Sequence, residues 1–191
     1  MPRSLLRSLT WLGLSVATAT AIAAEGEKKA FALPDNSKLQ LAIPAGWKDD
    51  LKANQAPKGS KGPAATTIAL TPRDGAPFEV LVTPVARQKP GGSADTVIQM
   101  RHNVQQAADK VKKSAVEHYL AVDALTGAPG PGYYFSATDA EPKPGEFKYL
   151  SRGMLLVGDV VVSFTILTND GQEKAKEQAL AMLKSASHVA R

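Results

Sequence analysis

The 191-residue chain contains no cysteine. That excludes disulfides, thiolate metal sites, c-type haem attachment and cysteine nucleophiles. It also excludes the thiol-linked lipid that anchors a bacterial lipoprotein. Aromatic residues make up only 6% of the chain, so few rings are on hand to stack against sugars. No block of five or more like charges occurs. Lys110, Lys112 and Lys113 are the densest basic cluster, and Asp109 sits beside them. No apolar run approaches the roughly 20 residues that a membrane-spanning helix needs.

What is present begins with the leader. Arg3 and Arg7 flank the start of an apolar block holding Leu5, Leu6, Leu9, Trp11, Leu12, Leu14 and Val16. Ala21-Ile22-Ala23 then supplies small residues at cleavage spacing. Residues 1–24 therefore read as a secretory signal peptide, cleaved near Ala23 or Ala24. The expected product is periplasmic or secreted, with no transmembrane anchor. It forms a single domain over 25–191, about 167 residues, enough to bury roughly 70% of the unfolded surface without staples. The net charge of +5, from 23 basic and 18 acidic residues, includes both leader arginines. A weakly basic exported chain without a recognisable binding motif is not expected to bind nucleic acid.

Along the chain, residues 24–30 are polar and read as a loose leader. Lys38 to Ile43 alternates as a half-buried strand does, and Pro44-Ala45-Gly46 stops it before Trp47. Pro57, Gly59, Gly62 and Pro63 mark an exposed loop over 53–65. Thr66–Thr71 and Phe78–Thr83 form a hairpin about Asp74-Gly75. Ser93 caps a helix whose apolar face carries Val97, Met100, Val104, Ala108 and Val111. His118–Val122 and Tyr133–Thr138 read as strands on either side of a Pro/Gly loop, 127–132. Two longer strands, Phe147–Val157 and Val160–Leu167, meet at the Gly158-Asp159 turn. Val160-Val161-Val162 is apolar on consecutive residues, as in a strand covered on both faces. Glu173–Ala186 is a helix burying Ala175, Ala179, Met182, Leu183 and Ala186. Hairpin-linked strands broken by helices predict an α+β fold: an α/β/α sandwich with a mainly antiparallel sheet flanked by helices.

Several of these elements together resemble the PsbP-like superfamily, which includes the DcrB-type bacterial envelope proteins. The likeness is carried by Phe31–Pro34, by Leu41, Ile43, Pro44, Gly46 and Trp47, and by the helix from Ser93. It continues through Arg152–Asp159 with Val160–Thr165, and through the helix ending Leu183-Lys184-Ser185-Ala186. The resemblance implies a sandwich used as a binding or assembly module, mostly without enzymatic activity. Lipid anchoring does not carry over, because the lipobox cysteine is missing. Nor does metal binding, because the histidine pair of some relatives has no counterpart.

The chemistry-bearing residues form no recognisable constellation. His102 lies off the helix's apolar face, His188 at a frayed C-terminus, and His118 beside Glu117 at no known ligand spacing. No metal site and no cofactor are expected. Ser136, Ser151 and Ser163 lie in strands without a marked base, and no Gly-x-Ser-x-Gly elbow occurs. Gly91-Gly92 and the 127–132 loop match no phosphate-binding spacing. Trp47, Tyr133 and Tyr134 are the candidate partner contacts. The two tyrosines face opposite ways, so one is expected buried and the other exposed.

The function expected is that of an exported, non-catalytic binding or accessory protein of the bacterial cell envelope. Its partner is an envelope protein or polymer, met through loops 53–65, 86–93 and 126–132. Two alternatives stand beside it: an exported hydrolase with a carboxylate pair not visible in sequence, and a carrier with an apolar pocket between sheet and central helix.

Overall fold

The computed structural model describes residues 26–54, 65–87 and 94–190. The expected signal peptide and its cleavage site, most of the 53–65 loop, Ser93 and its neighbours 88–92 lie outside them. The described elements are β1 (Gly26–Ala32), β2 (Lys38–Pro44), β3 (Trp47–Ala53), β4 (Thr66–Pro72) and β5 (Glu79–Arg87), followed by α1 (Ala94–Val111). Then come β6 (Asp123–Ala124), β7 (Gly132–Thr138), β8 (Tyr149–Val157), β9 (Val160–Thr168), α2 (Glu173–Lys184) and β10 (Ser187–Val189). A seven-stranded sheet runs β3-β4-β5-β9-β8-β7-β6, and a three-stranded sheet runs β1-β2-β10. Every ladder in both is antiparallel. The α+β architecture read from the sequence is the one that folds.

The large sheet is covered on both faces. Alternation along β9 sends Val160, Val162, Phe164 and Ile166 into the main core with Met182 and Leu183 of α2. Val161, one residue out of phase, packs with Leu156 and with Met100 of α1 on the other face. The Val160-Val161-Val162 run is therefore buried throughout, as its composition predicts. The five residues expected on the α2 stripe are all buried. On α1, Met100, Val104 and Ala108 are buried, and Val97 and Val111 are partly so. Val104, Ala108 and Val111 pack against Phe135 and Ala137, and Met100 against Leu156 and Val161, in the space between sheet and central helix where the carrier reading places an apolar pocket. A cavity of about 410 Å³ lies past the end of α1 and is lined by Val111, Phe147 and Leu150 among others.

Three sequence expectations are corrected, and one strand is new. Residues 26–30, expected as a loose leader, are part of strand β1. Residues 47–53, to which the sequence pattern assigns no strand, form strand β3. Each pairs on one side only and exposes most of its length, so neither needs an apolar face. His118–Val122 is not a strand. Val116 donates its N–H to Thr138 O, and regular pairing starts only at Asp123. His188 is not frayed. It sits on β10, with Nδ1 2.6 Å from Oδ1 of Asp159, and the contact ties the small sheet to the β8–β9 turn. Gly158 at that turn has φ 61°, and a Cβ there would stand 3.0 Å from His188 Cβ.

Among the described residues, no helix is long and apolar enough to cross a membrane.

Candidate functional site

The α2 face of the large sheet changes character along its length. Register places Gly132, Leu155 and Val162 in one cross-strand row, and Tyr134, Gly153 and Phe164 in the next. The third row is Ser136, Ser151 and Ile166, and the fourth is Thr138, Tyr149 and Thr168. Apolar rows thus give way to hydroxyl rows at the end where α2 begins. A cleft of about 380 Å³ opens there. Its walls are the hydroxyl rows, Glu117 and Asn169, and its roof is Glu173 and Lys176 of α2.

Buried hydroxyls are tolerated only when paired. Ser151, 3% exposed, meets its register partner Ser136 at 2.8 Å between the two Oγ atoms. Lys176 then donates from Nζ to Ser136 Oγ at 3.1 Å. This gives a relay from the buried Ser151 to a cationic head in the cleft. Glu117 closes one side. Thr138 donates its N–H to one Glu117 oxygen at 2.9 Å and its hydroxyl to the other at 2.7 Å. Burial pushes the Glu117 carboxyl up. The two Thr138 donors and Glu117's own backbone N–H outweigh it and hold the group below the ordinary glutamate value.

At the rim, the Tyr149 hydroxyl donates to Asp170 at 2.6 Å, and Lys148 Nζ donates to both Asp170 oxygens at 2.9 Å. These bonds, the tyrosine first and then the lysine, hold the Asp170 carboxyl low. The bond to Asp170 likewise raises Lys148.

The residues singled out from sequence fall elsewhere or share the site only in part. Trp47 is 6% exposed, with its ring 4.8 Å from that of Phe78 and its carbonyl accepting from Arg73 Nε. Its ring belongs to the core. Tyr133 and Tyr134 do point to opposite faces, but both are half-buried. Tyr134 packs on the main core, while Tyr133 lies on the α1 side under the Arg101 guanidinium at 5.7 Å. Gly153 makes room for them: a Cβ there would fall 2.6 Å from Tyr134 Cβ and 2.3 Å from Tyr133 O.

His102 is exposed and bonds Gln106 one turn on. No group of three or more His, Cys, Asp or Glu is placed to hold a metal among the described residues.

Sequence reasoning found Ser136 and Ser151 but missed that they pair and that Lys176 reaches them. The available signal was the spacing of the two strands about the Pro142–Gly145 break. Reading it required the register, which that long connection does not fix.

No family model matches the chain. No curated protein matches it either. Among solved structures it is similar to LpqN, described as involved in cell envelope biogenesis of Mycobacterium tuberculosis. The TM-score is 0.45 at 12% identity, over 86% of this chain and 91% of that one.

Proposed function

We propose that the chain is an exported, non-catalytic binding module of the bacterial cell envelope, and that it holds an envelope polymer in the cleft beneath α2. The observation that carries this reading is the Ser151–Ser136–Lys176 relay opening into a cavity walled by further hydroxyls and one tyrosine ring. Such a wall offers donors and acceptors at fixed positions and an aromatic edge, which suits a polyhydroxylated chain. The signal-peptide pattern and the resemblance to the PsbP-like superfamily support export and a binding role. The test is co-sedimentation with purified peptidoglycan sacculi. Retention in the pellet, lost on replacing Ser151 with Val, is expected. A protein that stays in the supernatant removes the polymer reading.

The carboxylate-pair hydrolase finds two carboxylates on the cleft, Glu117 and Glu173. Glu117, however, gives both oxygens to Thr138 and is held ionised, the opposite of the raised pKa a general acid needs. The Lys176–Ser136 contact favours a different second reading, because an amine beside a serine hydroxyl is the pairing of Ser–Lys hydrolases. That reading requires Ser136 to react with a fluorophosphonate probe. An unlabelled protein rejects it.

A further inference from the structure

The charges around the cleft are unequally engaged. Glu117 already accepts from the Thr138 N–H and hydroxyl, and Asp170 from Tyr149 and Lys148. Asn169 accepts from Lys148 N–H through Oδ1 and donates through Nδ2 to Pro77 O. Two charges are left. Among the described residues, the Lys176 side chain makes one hydrogen bond, to a neutral serine, and its ammonium retains two further donors. Glu173 has no hydrogen bond or ion pair among the described residues. The two stand at i and i+3 of α2, so their side chains share one face, with Cβ atoms roughly 5–6 Å apart. Both line the cleft, and no ion pair joins them. Glu173 has a local reason to be acidic, since it lies in the first turn of α2. Lys176 has none, since it stands beyond that turn and well short of the last.

We infer that the cleft takes an amino-acid-like zwitterionic end group, with its carboxylate on Lys176 and its ammonium on Glu173. A neutral sugar leaves both charges unanswered. A simple anion answers Lys176 and is repelled by Glu173 and Glu117, and a simple cation meets the reverse. A group bearing both signs a few atoms apart satisfies the pair at once, while its remaining polar atoms face Ser136, Ser151 and Thr168. Peptide-bearing envelope polymers present such groups. The inference rests on the reading that this cleft is the ligand site, and the test separates the two.

The ¹⁵N-labelled protein is titrated with three probes: the free dipeptide Ala-Ala, its N-acetyl form and its C-terminal amide. Amide shifts of Ser136, Thr138 and Ser151 are followed. The free dipeptide is expected to bind roughly tenfold more tightly than either blocked form, the scale of one charge-assisted contact. Lys176→Met should erase the penalty for amidation, and Glu173→Gln the penalty for acetylation. Lys176→Arg should retain the preference for a free carboxylate. Equal affinities for the three probes would overturn the zwitterion while leaving the cleft a binding site. Shifts confined to other residues, or unaltered selectivity in both charge variants, would overturn it as well. Absence of any shift, together with failure to sediment with sacculi, would remove the inference and the proposed function together.

Discussion

The two faces of the seven-stranded sheet are filled to different depths. The α2 face carries one continuous core that runs from Phe31 and Leu39 in the small sheet, through Val82, Phe164 and Ile166, to Met182 and Leu183. The α1 face carries two small clusters, one around Phe135 and Val104 and the other around Met100, Leu156 and Val161. Ile98 on α1 is 66% exposed, whereas Met182 on α2 is fully buried. The deep face owes its depth to the second sheet, which wraps β2 against α2. The polar cleft lies at the end of that deep face. Its hydroxyls are placed by strand register, and Lys176 by a helix whose apolar stripe is buried in the main core, the arrangement that holds a site in position before a ligand arrives.

If depth is the difference, the same chemistry should cost more on the α2 face. Leu183→Asp places an unpaired charge in the continuous core and should abolish the cooperative thermal transition, read by circular dichroism. Val161→Asp faces the smaller cluster, next to the partly buried Met154, and should keep a transition at lower temperature. A reversed order would break the comparison. Methionine truncation gives a finer measure. Met182→Ala should cost about 4 kcal/mol and Met100→Ala about 2 kcal/mol in urea unfolding, because the cavity under α1 can collapse from the solvent side.

The deep face was also the more legible one, for a physical reason. Along β8, β9 and α2, burial on one or both sides forces an apolar pattern with the period of the element. The valine run at 160–162 and the Ala175–Ala186 stripe could be read directly. The strands at the margins carry no such pattern. Lys28, Lys29, Asp50 and Lys52 sit in β1 and β3 because an edge strand can spend its side chains on water and on ion pairs such as Lys29–Asp49. The β10 strand is only three residues long, and His188 is held there by Asp159, a partner 29 positions away in sequence. The cleft was half legible. Its serines could be put on strands, but Lys176, Glu117 and the row order depend on tertiary contacts that no local spacing encodes.

Glu117 gives a smaller effect and a sign. It is the one cleft carboxylate held by a backbone N–H and a hydroxyl together. Glu117→Gln should cost about 1–2 kcal/mol at neutral pH, as expected for losing hydrogen bonds to a charged acceptor. Its native pKa lies below the ordinary glutamate value. The carboxylate's contribution is therefore fully present above the unfolded value, and is lost as pH falls through the lowered native one. The stability gap between wild type and Glu117→Gln, measured by denaturant unfolding, should stay constant above about pH 5 and close on acidification. A gap that widens in acid would mean the Thr138 contacts are not what holds the group.

The smallest expected effect bears most on the site. Lys176→Met removes the ammonium and keeps most of the aliphatic stem that covers the hydroxyl row. The bond it deletes ends on Ser136, which is exposed and retains Ser151 as a partner. No buried group is left unpaired, so the midpoint of unfolding should correspond to a change within about 0.5 kcal/mol. A residue that contributes little to folding, has no ion pair among the described residues, and faces an open cleft is placed for recognition. A loss of 2 kcal/mol or so would instead make Lys176 a structural clamp on the hydroxyl relay. The contrast between a deep face built for stability and a polar end built for binding would then fail at its most specific residue.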